Sequence, residues 1–307
     1  MQARKPIVAG QFYPGQYSSC IDEINQCLPP KADRGPGAPG ATSLPETIVA
    51  GIVPHAGWTF SGPLAALVFS AVKQSLDPAR GGRHEQVHTF VIFGAAHGYF
   101  GQSPAVYDKG SWMTPLGEVA IDEELAKAIV DSGAAVSDLD AHRSEHSIEV
   151  QVPFIQQLFP EAEMLPIIVP PSEQAISLGE AFGEIMKLKA GKKIVCIGST
   201  DLTHYGARHY RFAPMGTGPE ALRWASEVND RKFIDLALMM DPQGLLTSAA
   251  ENCNACGAGA AAATVAAAKK LGKTKGLLLA HTNSNEVMLH KMGTSSTDSV
   301  GYAAIVF

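Results

Sequence analysis

The sequence has no long apolar run, no surplus of positive charge and few cysteines, and each shortage removes a class of function. No stretch is apolar for long enough to cross a bilayer. The N-terminus, MQARKPIVAGQFYPG, lacks the apolar segment of a signal peptide. A cytoplasmic protein without a membrane partner is the expectation. Lys and Arg number 24 against 30 Asp and Glu, a net charge of -6. Nothing in that balance calls for nucleic acid or an anionic surface. The five cysteines, at 20, 27, 196, 253 and 256, are an odd number in a large chain. That favours free thiols over a disulfide framework.

What is present is an ordinary globular composition, 46% hydrophobic and 18% charged over 307 residues, enough to bury a large core. Residues 29–45 are dense in Pro and Gly without periodicity and read as a mobile surface loop. From residue 48 strands and helices alternate. Apolar runs at 48–53, 87–93, 164–169 and 193–199 read as buried strands. Helices are expected over 63–74 with Ser61 as cap, from Asp122 to Gly133, over 147–159, 173–189 and 219–240, from Asp241, and over the Ala-rich 257–271. The last strands are expected at 276–280 and 300–307. This pattern predicts one α/β domain spanning 1–307, with a mostly buried, largely parallel central sheet flanked by helices.

Three of these strands end in a loop that carries histidine: Pro54-His55-Ala56-Gly57, Gly94-Ala95-Ala96-His97-Gly98 and Asp201-Leu202-Thr203-His204. If the strands are parallel, all three loops open on one sheet edge, where α/β proteins bind ligands. A lone strand-end histidine is most often a hydrogen-bonded structural residue; three at equivalent positions favour a shared site. Asp201, three residues before His204, suits a carboxylate that fixes an imidazole tautomer and raises its basicity. Segment 142–149, HRSEHSIE, reads as a charged helix start or as a source of acid/base groups, Glu145 or His146. Cys253 and Cys256 precede the Ala-rich helix, whose N-terminus favours thiolate. Their spacing fits a redox pair, one ligand offered to histidines from elsewhere, or two small packed residues. His281 is placed to join the same rim, while His84, His88, His142, His209 and His290 read as surface or structural.

Pro54-His55-Ala56-Gly57-Trp58-Thr59 with Ser61-Gly62, Gly94-x-x-His97, Thr114-Pro115-Leu116, Glu145-His146-Ser147-Ile148-Glu149, Asp201-x-x-His204-Tyr205-Gly206, Cys256-Gly257 and the closing Asp298 to Ala304 run in the order seen in the Memo family. The chain resembles that family over nearly its whole length. Prokaryotic members are described as component B of the AmmeMemoRadiSam system, beside AMMECR-type and radical SAM proteins. The family fold is similar to that of class III extradiol dioxygenases, which are non-haem iron enzymes. The resemblance implies that His55, His97 and Cys256 ligate a metal, with Asp201 and His204 beside it. Here Ala95-Ala96 stands where Pro-Ser is usual, Gly98 where many relatives have a further His, Trp58 where Tyr is common, and His281 where Tyr is frequent. Cys253 has no clear counterpart in the family.

Two imidazoles and a thiolate suit iron, copper or zinc, and are softer than the two-His, one-carboxylate set of ring-cleaving iron enzymes. The expected function is a metal-dependent, dioxygenase-like oxidoreductase of a small substrate, with iron the first expectation for the metal. Asp201, His204, Glu145 and His146 are the acid/base candidates. The alternatives are a non-catalytic binder of a peptide or small ligand, and a metal-carrying accessory to a radical SAM partner.

Overall fold

A computed structural model describes residues 3–29, 44–77, 86–189 and 191–307. The loop read at 29–45 lies almost wholly outside the described residues, and His84 lies outside them. After helix α1 (Tyr17–Cys27), strand β1 (Ala50–Val53) leads into α2 (Trp58–Ser75) and β2 (Val87–Gly94). Then come β3 (Ala105–Val106), the hairpin β4 (Ser111–Thr114) and β5 (Gly117–Ala120), and α3 (Glu123–Asp131). β6 (Val136–Ser137), α4 (Val152–Leu158), β7 (Glu163–Ile168), α5 (Glu173–Leu188), β8 (Lys193–Ser199) and β9 (His204–Tyr205) follow. Four helices come next, α6 (Pro219–Trp224), α7 (Arg231–Leu238), α8 (Pro242–Asn252) and α9 (Ala258–Lys270), with a π-helical turn at Ala225–Asp230 between the first two. The chain closes with β10 (Leu277–Asn283), α10 (Ser284–Met292) and β11 (Ser299–Val306).

The main sheet runs β10-β11-β1-β8-β2-β7-β3-β6, with β9 added against β11. Its centre, β1-β8-β2-β7, is parallel throughout. The antiparallel pairings of β11 on β1 and of β3 on β7 begin its two flanks. The four central strands are buried almost end to end, which is why they read as continuous apolar runs. α2 packs on one face and α9 on the other. Small residues set the second distance: a Cβ on Gly198 would stand 2.3 Å from Thr264 Oγ1, and one on Gly179 of α5 would stand 2.1 Å from the Ala263 carbonyl. The alanines of α9 therefore pack against its own sheet and α5.

Asp122 and Asp241 cap α3 and α8, as their positions predict, by accepting the Leu125 and Gly244 amides. The expected start of α2 is corrected. The helix begins at Trp58, not Pro63, and Ser61 Oγ donates to the Ala56 carbonyl instead of capping. Pro63 sits inside the helix and cannot donate to Thr59 four residues back; Lys291 Nζ donates to that carbonyl at 2.5 Å. α10 was not expected at all. None of its residues is buried, so it has no apolar stripe to read. Its one local signal is Asn283, whose side chain accepts the Glu286 amide. No helix among the described residues is long and apolar enough to cross a membrane.

Candidate metal centre

β1, β8 and β2 are neighbours and parallel, so the loops that follow them leave the same sheet edge. His55 Nε2 lies 3.2 Å from Cys256 Sγ, and ligand atoms of His55, His97 and Cys256 all fall within 4.8 Å of one another. Metal bonds of about 2.0–2.3 Å to nitrogen and sulfur span a little over 4 Å across one ion. The three side chains can therefore close on a single metal with small adjustments.

Each imidazole is held from behind. Ser199 Oγ donates to the Ser147 carbonyl at 2.7 Å, so it is free to accept from His55 Nδ1 at 3.1 Å. The proton then sits on Nδ1, and the Nε2 lone pair faces Cys256. His97 Nδ1 lies 3.0 Å from Glu145 Oε1, which leaves its own Nε2 as the free atom. Glu145 also accepts the backbone amides of His97, His146 and Ser147. Burial opposes charge on Glu145, but His97 and the Ser147 amide outweigh it and hold the carboxyl at about 2. The same pairing raises His97 against the effect of its burial. Burial, with His97 and His146 close by, keeps His55 well below its usual pKa, a neutral imidazole ready to ligate.

Asp201 is buried and accepts the His55 backbone amide at 2.7 Å. Burial raises its pKa against those backbone bonds. Its Oδ2 lies 4.0 Å from both His55 Nε2 and His204 Nε2. His204 Nε2 is buried and has no hydrogen-bond partner. A buried polar nitrogen is rarely left alone. Beside two imidazoles and a thiol, it fits a site completed by a metal ion and its water. Burial holds His204 below its usual pKa despite Asp201, and holds His146 down despite Glu145. His146 stacks on His97 with ring centroids 5.0 Å apart.

A cavity of about 560 Å³ opens in front of these groups, lined among others by Phe12, Phe60, His204, Tyr210, Met288 and Tyr302. His209, read from the sequence as surface or structural, is exposed but stands on this wall paired with Asp298. His281 does not join the rim. It lies on β10 with Nε2 3.1 Å from the buried carboxylate of Asp230. His142 is a buried structural residue, its Nε2 donating to the Ala105 carbonyl. His88 Nδ1 accepts the Lys193 amide at the other end of β2.

The two cysteines of the CxxC part company. Cys253 is exposed and ends α8 in a left-handed conformation, while Cys256 sits just ahead of Gly257, the cap of α9. Both thiols are free. The expected helix-end lowering does not dominate at Cys256: burial and the Asp201 charge push its thiol up. Metal binding would have to displace that proton. Glu145, expected as an acid/base group, lies behind His97 with its oxygens committed. Ser199 carries no sequence signal of its own, because nothing in a strand-end serine marks what its hydroxyl faces, and Ser147, which reads as part of a helix start, instead accepts the Ala95 amide on its hydroxyl. The position of Ser199 at the end of an apolar strand, six residues after Lys193, was the available hint.

A family model described as Memo-like protein matches residues 4–306. The chain is similar to a MEMO1 family protein of Methanopyrus kandleri, 34% identical over 99% of this chain and 98% of that one. It is similar to another from Thermococcus onnurineus, 37% identical over 99% of each. The crystal structure of an uncharacterized Escherichia coli K12 protein overlaps 83% of this chain and 99% of that one at 15% identity, with a TM-score of 0.49.

Proposed function

The chain belongs to the Memo-like protein family, and from that premise we propose that it binds one metal ion through His55, His97 and Cys256 and uses it as an oxidoreductase on a small molecule. The observation that carries this reading is the convergence of the three ligand atoms within 4.8 Å, with each imidazole held so that Nε2 is its free nitrogen. Iron is the first choice. Its chemistry with two imidazoles and a thiolate is one-electron transfer at open coordination positions, whereas copper would favour redox cycling or sequestration and zinc Lewis-acid hydrolysis.

The remaining work falls to the protein's own groups. His204 takes or returns a proton at Nε2, and Asp201 stabilises its charged form from 4.0 Å. His146, half-buried on the cavity wall, is the second acid/base group, while Glu145 orients His97. Phe12, Phe60, Tyr210 and Tyr302 supply apolar surface that displaces water from a bound substrate. A non-catalytic ligand pocket is the second reading, favoured by the solvent-exposed stretch of the cavity wall at His209, paired there with Asp298.

Metal content of protein purified without added metal, followed by anaerobic addition of iron or copper and then O₂ uptake with a reductant, tests both. Stoichiometric metal with O₂ uptake that falls in His204→Ala supports the oxidoreductase. Stoichiometric metal without uptake favours the ligand pocket. A protein that holds no metal and gains none overturns the metal site.

A further inference from the structure

Two loops carry the acid/base pair and the candidate thiol ligand, residues 201–204 after β8 and residues 253–256 after α8. They meet directly at Cys256, whose N and Sγ both donate to the Asp201 carbonyl, at 3.3 and 3.7 Å, while the Gly257 amide donates to Thr200 Oγ1 at 2.9 Å. A third element ties them together as well. Asn229 lies in the π-helical turn and is 2% exposed. Its side-chain amide donates to Thr203 Oγ1 at 3.1 Å and to the Asn252 carbonyl at 2.9 Å. Both of its donor hydrogens are thereby used, one on the first loop and one where the second begins. Its backbone carbonyl accepts Asn254 Nδ2 at 3.1 Å, two residues before Cys256.

The next residue works on the same loop. Asp230 Oδ1 accepts the Thr203 amide at 2.9 Å, and Oδ2 pairs with His281. In an α-helix, successive side chains diverge by about 100°. The wider i→i+5 turn narrows that angle, so Asn229 and Asp230 reach the side chain and the backbone of the same threonine. Opposite them, a Cβ on Gly301 would come within 2.0 Å of Asp230 Oδ2, so β11 leaves room for this carboxylate by having glycine there. The Cys256 loop is also bent where it starts: Cys253 holds φ at +49°, which a non-glycine residue keeps only when its surroundings enforce it.

We propose that the π-helical turn sets where the Cys256 sulfur stands, with Asn229 and Asp230 as positioning residues that fasten the Cys256 loop to the Asp201–His204 loop. Neither side chain lines the cavity, and neither is a candidate ligand. Their effect passes through the thiol. The His55 and His97 rings are oriented by Ser199 and Glu145, so among the three ligands the clamp bears most directly on the thiol. This rests on the reading of Cys256 as a ligand.

The test uses Co²⁺ as probe, added without oxygen to the full-length protein freed of metal and kept reduced. The wild-type protein is expected to show a thiolate-to-cobalt charge-transfer band in the near ultraviolet, absent in Cys256→Ser. Asn229→Ala and Asn254→Ala, which cut the clamp from its two sides, should each diminish the band and weaken Co²⁺ binding roughly 10–100-fold. Ser226→Ala, on the same turn, should change neither. A wild-type protein that binds Co²⁺ without the band overturns Cys256 as ligand. A wild-type band that survives undiminished in either folded clamp variant overturns the clamp alone.

Discussion

The parallel centre of the sheet and its β10–α10 flank face each other across one cavity, and they are built differently. β1, β2 and β8 are buried almost throughout, and the loops that leave them are pinned by Ser199, Glu145 and Asp201. β10 is half-buried for six of its seven residues, and α10 buries none. That helix is tied down by its Asn283–Glu286 cap and by Lys291 on the Thr59 carbonyl. The difference is the one the proposed function would require. Ligand atoms must be held to fractions of an ångström by neighbours that cannot move, whereas a wall that shapes a substrate cavity tolerates a looser hold.

The largest effect that would break this division is on metal binding. His55→Ala and Cys256→Ser should each lower affinity by more than about 100-fold, beyond what a supporting residue costs, with little change in thermal midpoint. Met288→Ala, on the flank, should leave affinity untouched. A chelator-competition titration decides, and metal loss in the flank variant would end the distinction. Glu145→Gln comes next, at roughly 10–100-fold weaker binding, because the new amide can no longer accept all four donors that now converge on the carboxylate.

Stability should divide the same way. Gly198→Ala forces a methyl to within 2.3 Å of Thr264 Oγ1 between sheet and α9, and should cost about 1–3 kcal/mol in urea unfolding. Met288→Ala should cost under about 1 kcal/mol in the same experiment, since its partly exposed side chain leaves no sealed void. An equal cost at the two sites would show the flank to be as tightly packed as the centre.

Acid should act away from the β10–α10 flank, first beside β3 and then at the site. Burial holds the His142 imidazole down at about 3, against an ordinary value of 6.5. Between those values the unfolded chain takes up a proton that the folded protein refuses, so stability rises with pH. It should fall by on the order of 1 kcal/mol per unit as pH drops from about 6.5 towards 3. Glu145 adds a later loss below its unfolded value of about 4.5, as its folded carboxyl titrates near 2. Replacing His142 with Phe should flatten the upper part of that profile, read as urea midpoint against pH, at some cost in stability at neutral pH from the unpaired Ala105 carbonyl.

Local signals explain what was readable. Buried parallel strands are apolar on both faces, so β1, β2, β7 and β8 were visible within one or two residues. Asp122 and Asp241 marked helix starts because a cap works through its own next turn. Pro63 misled for the same local reason: a proline looks like a first-turn residue, and only Lys291, more than two hundred positions later, makes an interior one tolerable. α10 stayed invisible because it packs too lightly to need an apolar face. In the site, histidines at three strand ends were legible, but Cys256 needed the family resemblance, since spacing does not separate it from Cys253.

The sequence by itself determined the alternation of buried strands and helices, and with it the edge at which His55, His97, Asp201 and His204 emerge. Periodicity and strand length are properties of neighbouring residues, and parallel strands with crossover helices must place their ends together. Only the tertiary structure decided which nitrogen each histidine presents, which cysteine faces them, and that Glu145 stands behind His97. Those outcomes depend on hydrogen bonds such as Ser199 to Ser147 and Asn229 to Asn252, made between segments far apart in the chain.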